Sequence, residues 1–352
     1  MRTIRTLFLA ASLSASLLSC QKRMNTEVVS GSAVLTLGGA SLQTRVTDVL
    51  SADESRIERW AYWVFNRSGH AVKCGMETGM SSKVSLPTGF YTVVVLANYP
   101  TSGIRTIPIR VDVTIDALLD RTSDLSDNAR NCFVMKGDAS VIIEEGKTVP
   151  IEVQLTRLVS KIGVKKISVA YSKSALATKT TILKGVYLTN LYRSSRYGSD
   201  YTYSELEATS TKWYNLMGWH RWESDPADGA IDALAGDCEL NVHLSASSPY
   251  TRSHYFYCYP NASRKENDSH GLETWTIRST RLVIETEVDE KTYYYQIQIP
   301  PMRRNTPYVA EEVVIRELGS QDPEDIVPGS LEVIFNTTVQ GWQGDYSIEE
   351  ES

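Results

Sequence analysis

Apolar and polar residues alternate along this chain in short runs separated by turn-forming residues. In GSAVLTLGG (31–39), Leu35 and Leu37 alternate with Val34 and Thr36, which predicts a strand that softens at Gly38-Gly39. WAYWVF (60–65) reads as a strand ending at the turn Asn66-Arg67-Ser68-Gly69. VSLPTG (84–89) closes on a Pro-x-Gly turn. FYTVVVLAN (90–98) is almost wholly apolar and β-branched, as expected of a strand buried on both faces. TIPIRVDVTI (106–115) alternates again and reads as a strand. Residues 116–131 carry few β-formers and predict a short helix within a long connection. Residues 134–155 predict two strands joined at Glu145-Gly146-Lys147.

A second series begins at residue 157. Ile162, Val164, Ile167 and Val169 predict a strand with a bulge at Lys165-Lys166. Further strands are predicted at 181–192, 254–260, 280–288, 293–300, 308–318 and 330–342, with a Pro/Asp/Gly loop at 319–329. Residues 193–240 are irregular and polar and read as a large surface excursion. Many short strands with regular turn signals predict β-sandwiches, mainly β in class. The chain is long enough for two domains, with the boundary placed near 157.

The first residues stand outside that fold. Arg2 and Arg5 precede a short apolar run, Leu7 to Leu18, which is too short to span a bilayer comfortably. The run closes on Leu17-Leu18-Ser19-Cys20, which resembles a bacterial lipobox. That resemblance implies a signal peptide over 1–19, cleavage before Cys20 and diacylation of its sulfur. The formal charge is −6. Loss of Arg2 and Arg5 makes it −8, and a cut after Arg45 also removes Lys22, Arg23, Arg45 and Glu27 to give −10. An acidic product argues against nucleic acid as a partner.

Four other cysteines are present: Cys74, Cys132, Cys238 and Cys258. An exported chain permits disulfides, and 74–132 with 238–258 keeps each pair within one half. Buried free thiols are the equal alternative. The histidines form no HExxH and the chain has no GxSxG or phosphate loop, so no catalytic site, cofactor or metal is expected. Trp213, Trp219 and Trp222 make an aromatic group in the excursion. They could stack on a sugar ring, but pinning the loop is the preferred role. Asp225, Asp228 and Asp232 lack the spacing of a calcium loop.

Several segments in order carry a family resemblance. They are WAYWVFNRSG and VSLPTGFYTVVVLAN in the first half, then RLVSKIGV (157–164), YYYQIQIPPMRRNTPYVAEEVVIRELGSQDPE (293–324) and LEVIFNTTVQGW (331–342). Together they resemble the fimbrillin families of Bacteroidales, the subunits of type V pili. The resemblance implies two transthyretin-like Greek-key β-sandwich domains in tandem, 46–156 and 157–352. It implies a lipidated precursor at the outer membrane, cut by an arginine-specific protease, and a product in the fimbrium on the cell surface. Removal of the first strand with a propeptide, 20–45, would open a groove for a strand from another pilus subunit. Arg45, with Val46 as the new N-terminus, is the expected cut site, and Arg23 and Arg56 are its rivals. The alternation of Leu331, Val333 and Phe335 makes them the candidate donor strand. Other readings are a surface adhesin or glycan-binding lipoprotein resting on the three tryptophans, or a basal pilus anchor that keeps its lipid. A secreted hydrolase has no motif in its favour.

Overall fold

The structure is a computed structural model. It describes residues 30–38, 54–102, 105–202, 204–205, 213–214, 236–237, 240–263, 279–322 and 325–335. The chain is mainly β. Its first part contains β1 (Ser30–Gly38), β2 (Trp60–Asn66), β3 (Ala71–Glu77), β4 (Ser81–Pro87), β5 (Gly89–Ala97), the short helix α1 (Ile115–Leu119), β6 (Thr122–Asp124), β7 (Met135–Ile143), β8 (Thr148–Gln154) and β9 (Thr156–Arg157). The second part contains β10 (Ser160–Val164), β11 (Ile167–Val169), α2 (Ser174–Ala177), β12 (Thr181–Thr189), β13 (Leu191–Tyr192), β14 (Ser194–Arg196), β15 (Trp213–Tyr214), β16 (Gly236–Asp237), β17 (Val242–Leu244), β18 (His254–Cys258), β19 (Arg281–Val288), β20 (Lys291–Gln298), β21 (Pro307–Ile315) and β22 (Leu331–Phe335).

Two sheets form from the first series. One has the order β3-β2-β5-β7-β9, the other β4-β1-β8. Their inward side chains share a core that includes Trp60, Val93, Val95, Val84 and Val153. The turns explain how the second sheet arises. β5 and β7 are neighbours in the larger sheet. At Pro87-Thr88-Gly89 the chain passes from β4 to β5, and at Glu144 to Lys147 from β7 to β8, each time crossing between sheets. Gly146 has φ 67°, which suits glycine at that turn. β4 and β8 therefore arrive in the smaller sheet with one strand's width between them. Neighbouring strands lie about 4.8 Å apart, so that gap is about 10 Å wide. β1 fills it.

In the second series, β11-β21-β10-β18 form one sheet with β22 on β21, and β16-β12-β19-β20 another with β17 on β12. β10 and β11 lie in succession along one edge of β21, both parallel to it. The break between them falls at Lys165-Lys166, as the sequence predicts. Both lysines turn outward to ion pairs with Glu311 (2.8 Å) and Glu312 (2.9 Å).

The two series meet through polar contacts. β6 pairs with β14. Asp124 accepts from Arg193 at 2.7 Å, and the Tyr259 hydroxyl donates to Ser123 at 2.9 Å. Glu54 and Lys161, both buried, form an ion pair of 2.8 Å. The Tyr257 hydroxyl donates to the same Glu54 oxygen at 2.5 Å.

Two expectations are corrected, and one open alternative is decided. Residues 106–115 form no strand. Pro108 lacks the ladder donor, Val111 is exposed, and Thr114 caps α1 by accepting from Ala117 N at 3.2 Å. The start of the 193–240 excursion is not surface chain, since Ser195 and Tyr197 are buried. Its polar backbone is satisfied there: Tyr197 N donates to Arg121 O and Gly198 N to Leu119 O, while Arg304 donates to the carbonyl of Gly198. Between the two open readings of the cysteines, the structure shows no 74–132 disulfide. Cys74, Cys132 and Cys258 are free thiols, and Cys238 lies outside the described residues.

Candidate functional site

β1 is the middle strand of the smaller sheet. It runs antiparallel to β4, with Ser30 opposite Pro87 and Thr36 opposite Ser81. It runs parallel to β8, with Ser32 level with Thr148 and Gly38 with Gln154. Ala33, Leu35 and Leu37 point into the core, and Thr36 is exposed. The predicted alternation is thus realised with the two leucines inward. Burying each leucine stabilises the fold by about 1.5–3 kcal/mol. On the outer face the Ser32 and Thr148 hydroxyls hydrogen-bond at 2.8 Å.

Row by row, the seat of β1 is matched in size. At the first inward position, Gly31 faces Leu86, and a Cβ there would strike the backbone oxygens of Glu144 and Lys147. Ala33 stands between Val84 and Val149 and is fully buried. Leu35 stands between the small Ser82 and Ile151. Leu37 lies level with Val153, and its N–H donates to Met80 O at 3.2 Å.

Beyond Gly38 the chain returns to the described structure at Glu54, so the predicted cut site Arg45 and the new terminus Val46 lie outside the described residues, as does Cys20. The rival Arg56 is described. Its guanidinium is exposed and 3.3 Å from Glu58. Its backbone is held: Asn98 Nδ2 donates to the Arg56 carbonyl at 2.8 Å and to the Phe133 carbonyl at 3.0 Å, while Asn98 Oδ1 accepts from Glu58 N at 2.9 Å. Asn98 itself has φ 54°, a conformation asparagine tolerates. A protease needs free, extended backbone at the bond it cuts. The Arg56 carbonyl, part of the bond that such a cut breaks, is bound to Asn98, and Glu54 just upstream is locked to Lys161. Sequence reasoning missed this clamp; the Ala97-Asn98 motif at the end of β5 was its visible trace.

Leu331, Val333 and Phe335 all lie in β22, which pairs antiparallel with β21 of the same chain. Leu331 and Val333 pack against the core. Trp213 lies in β15, where its backbone pairs with Tyr192. Trp219 and Trp222 lie outside the described residues. Among the described residues, no group of three His, Cys, Asp or Glu is arranged to hold a metal ion. Among them too, no helix is long and apolar enough to cross a membrane.

Neither a family model nor a curated protein matches the chain. Solved structures do match its fold. A structure described as a "putative cell adhesion protein" from Bacteroides eggerthii DSM 20697 has TM-score 0.63 at 16% identity, over 87% of this chain and 94% of that one. A second of the same description, from Parabacteroides distasonis ATCC 8503, has TM-score 0.56 at 15% identity, over 87% and 98%. A fimbrilin from Porphyromonas gingivalis W83 has TM-score 0.54 at 13% identity, over 86% and 96%. Across nearly its whole length, the chain shares the β-sandwich fold of a fimbrilin and of these adhesion-protein structures.

Proposed function

We propose that this protein is a fimbrillin-type subunit of a surface fibre, assembled by exchange of its first strand. One observation carries the reading: β1 is the central strand of the β4-β1-β8 sheet, yet it precedes the predicted cut site. Export as a lipoprotein modified at Cys20 brings the precursor to the outer membrane. While β1 is in place, the facing edges of β4 and β8 are paired and cannot capture other chains. Cleavage after Arg45 by an arginine-specific protease cuts the covalent tie of β1. Its departure exposes two strand edges and an apolar groove, which a neighbouring subunit's strand then fills by main-chain pairing.

Domains 46–156 and 157–352 are the two tandem sandwiches of the processed subunit in this reading. The described geometry favours Arg45 over Arg56, because the Asn98 clamp holds the latter's backbone. The likeness in fold to cell adhesion structures supports a second role in the same fibre: an accessory or tip subunit that contacts a surface ligand, with Trp213, Trp219 and Trp222 as candidate contacts. Treating the purified precursor with an arginine-specific protease tests the main reading. An N-terminus at Val46 and SDS-resistant oligomers are expected. Normal assembly of Arg45→Ala would overturn it.

A further inference from the structure

We infer that the groove selects its incoming strand by side-chain size, taking glycine, then an alanine-sized residue, then two leucine-sized residues at alternate positions. This rests on the strand-exchange reading above and names the partner that reading leaves open. The seat of β1 supplies the specification.

At the position of Gly31, the carbonyl oxygens of Glu144 and Lys147 and the Cγ2 of Ile143 occupy the space a Cβ needs. Those carbonyls belong to the turn that carries the chain from β7 to β8, and Lys147 O accepts from Ser32 N at 2.9 Å while Gly146 N donates to Ser30 O at 3.1 Å. Moving the turn away would break the bonds that hold the strand's end, so the turn cannot make room cheaply. At the next inward position two valines, Val84 and Val149, flank Ala33, which has no exposed surface. A leucine there overpacks the row. One row on, Ser82 leaves room for Leu35. Because side chains alternate with period two, a strand sliding by one residue would present its outer face to the core, so this order of sizes also fixes register.

The specification can be read against the chain's own C-terminal strand. Gly329-Ser330-Leu331-Glu332-Val333-Ile334-Phe335 has glycine at the first position and apolar residues at the required spacing. It places Leu331, however, where the groove holds Ala33. The partner strand is therefore one with Gly-x-Ala-x-Leu-x-Leu character, and a second copy of this chain donating residues 329–335 is a poor fit.

The test uses the full chain cut with arginine-specific protease, with the released strand removed in mild denaturant. Fluorescent peptides are then added: residues 30–38 unaltered, the same peptide with Gly31→Ala, with Ala33→Leu and with Thr36→Val, and residues 329–337. The unaltered and Thr36→Val peptides should bind alike. The Gly31→Ala, Ala33→Leu and 329–337 peptides should bind about tenfold or more weakly. Val84→Ala in the protein should recover binding of the Ala33→Leu peptide and leave the Gly31→Ala peptide weak. Equal binding by all five peptides would overturn the size rule while leaving strand exchange standing. Failure of the unaltered peptide to bind at all would overturn the groove reading and this inference with it.

Discussion

Leu35 of β1 and Ile151 of β8 stand level in a parallel pair, both buried, although they lie on opposite sides of the predicted cut at Arg45. This pair joins a segment proposed to leave to one proposed to stay. Leu35→Ala should therefore destabilise the uncut precursor by about 2–5 kcal/mol, the range for a buried leucine. Thr36→Ala, on the exposed face, should cost within about 0.5 kcal/mol. Chemical denaturation of the precursor measures both, and the assembled product should be insensitive to either.

The Asn98 clamp makes a separate prediction. Asn98→Gly keeps the positive φ at no steric cost but removes the side-chain bonds to Arg56, Glu58 and Phe133. Limited digestion of this variant should yield a second N-terminus at Ile57 beside Val46. The wild-type chain should yield Val46 without Ile57.

Glu54 and Lys161 tie the segment just before β2 to the second series of strands. Glu54→Gln leaves the buried lysine without its counter-charge and should cost about 3–5 kcal/mol. Replacing both residues by methionine should recover part of that loss, because the lysine charge leaves with the carboxylate, while the Tyr257 hydroxyl and the Arg157 guanidinium still lose the Glu54 carboxylate. Comparison of the two variants with wild type by denaturant unfolding separates the ion pair from simple packing.

Acid should loosen the junction between the two series. Burial pushes the Asp124 carboxyl up, but its bonds from Arg193 and Ser126 outweigh that and hold it below its usual value of 3.8. A carboxyl whose folded value is depressed contributes stability in full above its free value, and that contribution is lost as the pH falls through the folded value. Arg193→Ala should thus destabilise the chain at pH 7, and the difference from wild type should shrink below pH 3.8. Unfolding midpoints at pH 7 and in the acid range check the sign.

Local signals in the sequence located most of the strands but not their partners. The alternation at Leu35 and Leu37 identified β1, and Asn66 to Gly69 identified the turn after β2. The Asn66 side chain indeed accepts from Ser68 N and His70 N. That β1 lies between Ser81–Pro87 and Thr148–Gln154 is a long-range fact, set by two turns that cross between sheets. No period in the sequence encodes it. The misread strand at 106–115 shows the opposite failure: Ile107, Ile109, Val111 and Val113 alternate, yet Pro108 and the Thr114 cap prevent a ladder there. Ser195 and Tyr197 looked like surface chain because the Tyr197 N–H and the Ser195 hydroxyl find their partners far away in sequence, at Arg121 and Arg304. The Asn98 and Glu54 contacts were hidden for the same reason.

Strand exchange requires β1 to be a temporary occupant of its sheet. Hydrogen exchange on β4 and β8, followed with mass analysis of residues 30–38, tests it most directly across the precursor, the cut monomer and the assembled fibre. Ser81–Pro87 and Thr148–Gln154 should be protected in the precursor, lose protection once the cut strand has left, and regain it in the fibre with residues 30–38 absent. Residues 30–38 retained at one copy per subunit in the fibre would contradict it.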